Sequence, residues 1–199
     1  MTRLGHLLTL FAALGLLAAT LSAQPDPNAA KSTEIELKAR KLDLLNHLLP
    51  LLLKKDQINA ILSGIEQCRA KEKEIETREA NEMRAFETRI DQAIEAGIDK
   101  GAIPPVELLK ELNTLFRGFA MRRMAVRAEN AEKLVEVLKS KLDSGQQAAA
   151  SNSVDVKTWD SRLDPEKMEL DEKLTVFVQA ILLDRATYDV LIKMAAKAG

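Results

Sequence analysis

The chain has 199 residues, 46% of them apolar, 30% charged and only 4% aromatic, with 29 basic and 30 acidic side chains and a formal net charge of −1. That length fits one domain, the apolar share argues against wholesale disorder, and near-zero charge excludes the broad basic footprint of a nucleic-acid binder. A single cysteine excludes an internal disulfide framework, while few glycines and aromatics favour helices over a sheet.

The first element is an export signal over residues 1–23. Arg3 is the only charge before residue 26, Leu7 to Leu21 is an apolar run, and Ser22-Ala23 supplies small residues at its exit. A run of this length is short for a membrane-spanning helix and suits a secretory signal peptide cleaved after Ala23. The expected location is a periplasm or the cell exterior, with no stable membrane insertion after cleavage. Residues 24–32, with two prolines and no periodicity, read as a flexible tether.

A single all-helical domain is expected over residues 33–199, without β-sheet. Thr33 and Glu36 form a T-x-x-E capping pattern that starts a helix over 33–49, turning Ile35, Leu42, Leu45, Leu48 and Leu49 inward until Pro50 interrupts it. A second helix over 54–98 carries Ile58, Ile61, Ile65, Cys68, Ile75, Met83, Phe86, Ile90 and Ile94 at spacings of mostly three, four or seven. Gly97, Gly101, Pro104 and Pro105 then break the chain. A third helix over 106–142 bears Leu108, Leu112, Leu115, Phe119, Val126, Leu134, Leu138 and Leu142.

Both long stripes thin in the middle, at Glu72 and Glu79 and again between Arg122 and Asn130. A tight turn at 98–105 makes the two helices an antiparallel hairpin, so Glu76 would face about Arg127 and Ala80 about Arg123. Acidic Glu72, Glu76 and Glu79 would oppose basic Arg122, Arg123 and Arg127, either as a closed salt-bridged seam or as an open polar groove. Met121 and Met124 beside the arginine pair add adaptable apolar surface, which makes Met121, Arg122, Arg123, Met124 and Arg127 the candidate partner-binding residues.

Residues 144–153 (SGQQAAASNS) read as a linker. Asp164-Pro165-Glu166 has the signature of a helix start, opening a last helical segment over 165–197. Its apolar face comprises Leu170, Leu174, Phe177, Val178, Ile181 and Leu182, followed by Tyr188, Leu191 and Ile192.

Little in the chain suggests catalysis. His47 is the one histidine after the signal segment, no phosphate-cradling, nucleophile-elbow or H-E-x-x-H pattern occurs, and carboxylates are interleaved with Lys and Arg. The expectation is a non-enzymatic protein without cofactor or metal. Cys68, on the apolar stripe, is either a buried free thiol or one half of an intermolecular disulfide.

Leu53-Lys54-Lys55-Asp56-Gln57 resembles the LTxxQ signature of the Spy/CpxP-like periplasmic chaperones and stress sensors, with Lys54 in place of Thr. Leu163-Asp164-Pro165-Glu166-Lys167 is a looser second match, with Asp for Thr and Lys for Gln. The resemblance implies a small exported helical protein with a long-helix hairpin that cradles unfolded polypeptides. In it Leu53, Gln57, Leu163 and Asp164 serve as structural motif residues. The expected partners are therefore unfolded or other polypeptides. The alternative is an envelope scaffold protein that associates through amphipathic or coiled-coil helices, in its simplest form as a homodimer.

Overall fold

In the computed structural model, residues 27–198 are described, with side chains from residue 33. The export-signal reading of residues 1–23 falls outside them. The protein is all-α, and no strand occurs among the described residues. Among the described residues eight α-helices follow in chain order: α1 Pro27–Leu48, α2 Lys55–Arg84, α3 Glu87–Lys100, α4 Val106–Lys141, α5 Ser144–Ser153, α6 Val156–Trp159, α7 Leu170–Phe177 and α8 Thr187–Lys197. A 3-10 turn, Leu49–Leu51, joins α1 to α2, and a π-helical turn, Val178–Leu182, extends α7. Two compact units divide the chain after Arg40.

In the first unit the helix begins at Pro27, so residues 27–32 are helical rather than a tether. Thr33 lies inside α1 rather than at its start, because Pro27 suits a first-turn position six residues earlier. Ile35 is exposed here, and Glu34 pairs with Lys38 at 2.6 Å across one helical turn.

In the second unit α1 continues to Leu48. Its buried residues are Leu44 and Leu48, while Leu42 and Leu49 face solvent, so the inward stripe is narrower than expected. The core draws Ile58, Ile61, Ile65 and Cys68 from α2 and Ala131, Leu134 and Leu138 from α4. Leu174, Phe177, Val178, Ile181, Leu182 and Leu191 close it from α7, the π-helical turn and α8. Gly64 permits the close crossing of α2 and α4. A Cβ there would stand 2.8 Å from Cδ2 of the fully buried Leu134.

The hairpin of α2, α3 and α4 is antiparallel, as the two stripes require. Its first arm is two helices rather than one. The Phe86 amide bonds to the Met83 carbonyl at 2.9 Å, an i→i+3 contact that tightens the chain for one turn at Ala85 and Phe86. The turn at its tip uses Gly101 in the left-handed region, φ 63°, whose amide donates to the Gly97 carbonyl at 3.1 Å.

Two further expectations are corrected. Residues 144–153 are helix α5, not a linker. Asp143 caps it by accepting from the Gln146 amide at 2.8 Å, and the Gln146 side chain accepts from the Asp143 amide at 3.1 Å, a complete capping box. Ala148, Ala149 and Ala150 favour helix, and their small side chains let α5 lie close to α7. The last segment does not start at Pro165. Asp164 holds a single turn, accepting from the Glu166 amide on its side chain and from Lys167 on its carbonyl. The helix α7 begins at Leu170, where the Glu169 amide donates to the Glu172 carboxylate at 2.8 Å.

Candidate functional site

The thin stretch of the hairpin is a polar seam. Glu79 sits on the α2 face turned toward α4, with only 3% of its side chain exposed, and its Oε2 accepts from Arg123, the Nε bond being 2.6 Å. Arg122 donates from Nη2 to Glu82 at 2.6 Å and lies over the Phe119 ring, 5.1 Å from its centroid. Its guanidinium hydrogen bond holds the Glu82 carboxyl below the usual carboxylate range. Toward the core, Asn130 donates to Glu72 at 3.3 Å and to the Cys68 carbonyl at 3.4 Å. Toward the tip, Arg89 grips Glu111 through two hydrogen bonds of 2.7 and 3.0 Å, lowering the Glu111 carboxyl in the same way. Glu129 pairs with Lys71. The pairing progresses inversely along the chain, 71 with 129, 79 with 123, 82 with 122 and 89 with 111, as antiparallel helices demand.

Of the five candidate residues, Arg122 and Arg123 are therefore held in the seam: Arg123 meets Glu79, within the expected opposition of acidic and basic residues, and Arg122 meets Glu82. The Glu82 partner was missed, because it lies one turn beyond the acidic cluster picked out by spacing. Oε1 of Glu79 and Nε of Arg122 are buried without a hydrogen-bond partner among the described residues. Met121 and Met124, three residues apart on one side of α4, are each 73% exposed and take no part in the core.

Beside the seam runs a cleft of about 520 Å³ between the hairpin and the corner that joins the π-helical turn to α8. Arg123, Met124 and Arg127 line it from α4, Glu72 and Glu76 from α2, and Arg185 from the corner. Neither Glu76 nor Arg127 forms an ion pair with any described residue, so the cleft presents unpaired charge of both signs next to an exposed thioether. The corner is fixed by Arg69, which donates to the Arg185 carbonyl at 2.9 Å and stacks over Tyr188, 4.5 Å from its ring centroid. Both faces proposed for the hairpin middle thus coexist: a closed seam on one side and an open cleft on the other.

The motif residues have a different role. Leu53 is buried in the core, and Gln57 accepts from the Lys54 amide at 2.9 Å while its Nε2 donates to the Lys141 carbonyl at 2.8 Å. Gln57 and Gln146 also exchange hydrogen bonds, 2.8 and 3.1 Å, although 89 residues separate them. Gln146 lies in Leu142-Asp143-Ser144-Gly145-Gln146, which repeats the spacing of Leu53 to Gln57, with Leu142 buried and Asp143 as the cap. This segment, and not Leu163–Lys167, is the structural counterpart of the first. Leu163 and Asp164 sit half-buried in the turn before α7 and meet neither glutamine.

Cys68 is a buried free thiol in the folded chain, 1% exposed, and burial pushes its thiol above the ordinary value. His47 closes α1, with Nε2 3.6 Å from Asp43. Among the described residues no three His, Cys, Asp or Glu side chains converge as metal ligands, and no helix is long and apolar enough to cross a membrane. Comparison with family models, curated proteins and solved structures gives no match to this chain.

Proposed function

We propose that this is an exported, non-enzymatic helical protein that binds other polypeptides, acting as a chaperone or envelope-stress factor. The observation that carries the reading is the exposure of Met121 and Met124 beside a cleft with unpaired Glu76 and Arg127. Thioethers adapt to irregular apolar surfaces, and charges of both signs accept clients of either polarity. The interlocked glutamines of two L-x-x-x-Q segments lend support to the Spy/CpxP-like resemblance, since they give the motif a structural purpose in both its copies. The hydrophobic leader, Leu7 to Leu21, supports export.

The test is suppression of aggregation. The mature chain, added at near-stoichiometric amounts, is expected to reduce light scattering by two unrelated proteins diluted from denaturant. Met121→Asp/Met124→Asp should lose most of that effect with an unchanged melting temperature, because neither side chain is in the core. No suppression of either client would reject the reading.

A further inference from the structure

We propose that a second groove, formed by the end of α1, the Leu49–Leu51 turn and α8, docks an acidic amphipathic helix of a partner polypeptide. The groove has a volume of about 720 Å³, within the usual range for a binding cavity. Leu49, Leu52 and Ile58 form one wall, and Val190 and Met194 form the other. Leu52 is 81% exposed and adopts φ 47°, ψ 46°, a left-handed backbone that a leucine rarely takes. Gln146 fixes that backbone by donating to the Leu51 carbonyl at 2.9 Å and the Leu52 carbonyl at 3.4 Å. The interlocked glutamines thus hold a large apolar side chain out at the lip of the groove, where folding alone gives no reason for it.

Charge selects the occupant. Every charged side chain lining the groove is a lysine: Lys41, Lys193 and Lys197. Lys41 is engaged by Asp189 at 3.4 Å, but Lys193 and Lys197 form no ion pair with any described residue. They stand four residues apart on α8, about 6 Å along its axis. Like charges at that spacing weaken a helix slightly, and the placement of Lys197 in the last turn of α8 offsets this. Carboxylates one turn apart on a partner helix would match both ammonium groups, with the apolar stripe beside them filling the trough.

The probe is a fluorescent helical peptide with leucines at i, i+3, i+4 and i+7 flanked by glutamates at i, i+4. Controls are a scrambled peptide, a peptide with lysine at the glutamate positions, and vesicles of phosphatidylglycerol and phosphatidylcholine. The acidic peptide is expected to bind the full chain with micromolar affinity. Lys193→Glu/Lys197→Glu should weaken it at least about tenfold, and the lysine peptide should recover the loss on that variant. Leu52→Asp should weaken both peptides without changing the circular dichroism spectrum. Equal binding of the scrambled peptide, insensitivity to the charge reversal, or vesicle binding in place of peptide binding would each overturn the proposal.

Discussion

Glu79 shows how position decides what a charge does. Most carboxylates of the chain are solvated, and their ion pairs contribute about 0–1 kcal/mol each. Glu79 differs because α4 covers it almost completely, leaving Arg123 to compensate its charge. Removing one member of a covered pair strands the other, which costs more than the pair itself contributes. Arg123→Ala is therefore expected to destabilise the protein by about 2 kcal/mol, less than for a fully buried pair because solvent reaches the Arg123 side. Glu79→Leu/Arg123→Leu should return most of that loss. Urea unfolding of the two variants checks this; an Arg123→Ala midpoint equal to the parent's would show that water, not Arg123, solvates the carboxylate.

At the level of elements, the glutamine pair joins three chain segments that the hydrophobic stripe alone does not align. Gln57 ties the start of α2 to the end of α4, and Gln146 ties the start of α5 to the turn after α1. Each amide is the third residue of its own helix, so capping and tertiary contact use the same side chain. Either alanine substitution leaves a neighbour's amide and a part-buried carbonyl without their partner, a loss of about 1 kcal/mol. Gln57→Ala with Gln146→Ala should cost less than the two separately, by at least about 0.5 kcal/mol, in a double-mutant cycle by urea unfolding. Additive losses would mean that the amides act independently.

The same elements explain what could be read in advance. The hairpin was legible because Gly97 to Pro105 and two long stripes leave one simple arrangement. The opposed charges of its middle followed from that register, with Arg123 meeting Glu79 rather than Ala80. Helix α5 was not legible as such: its small polar residues carry no stripe, and it buries only Ala150 and Ser151. Its capping pattern, Asp143 with Gln146, was in the sequence and would have identified both the helix and the second L-x-x-x-Q segment. The Asp164-Pro165-Glu166 signal was real but local, sufficient for one turn where no apolar face continued it. The first helix differs for the opposite reason: its leucine-rich stretch predicts a wide buried stripe, whereas in α1 only Leu44 and Leu48 are covered completely.

Across the second unit, burial is graded along the hairpin. The main core takes its α2 residues from Ile58 to Cys68 and its α4 residues from Ala131 to Leu138. Beyond the seam only Leu108 and Phe119 are buried, both on α4, and α3 buries none of its residues despite the apolar Ile90, Ile94 and Ile98. The far arm is thus two helices that meet along a narrow line, with Ile94, Ile98 and Val106 left in solvent. In such a segment, cross-hairpin ion pairs carry a larger share of the local stability than they do near the core. Arg122 and Arg89 lower the carboxyls of Glu82 and Glu111, so each group binds its proton less readily in the folded arm than in the open one. Stability from these pairs is complete above the ordinary carboxylate value near 4.5 and is lost as pH falls through the lower folded value. Hydrogen exchange, corrected for intrinsic rates, is therefore expected to accelerate between residues 83 and 119 on acidification below the ordinary carboxylate value, before the amides of 58–68 and 131–138 respond. Glu82→Gln/Glu111→Gln should make the arm exchange at neutral pH as the parent does in acid. A uniform response along the chain would instead mean that the unit opens as a single cooperative body, with the arm held by its α4 contacts and not by its charges.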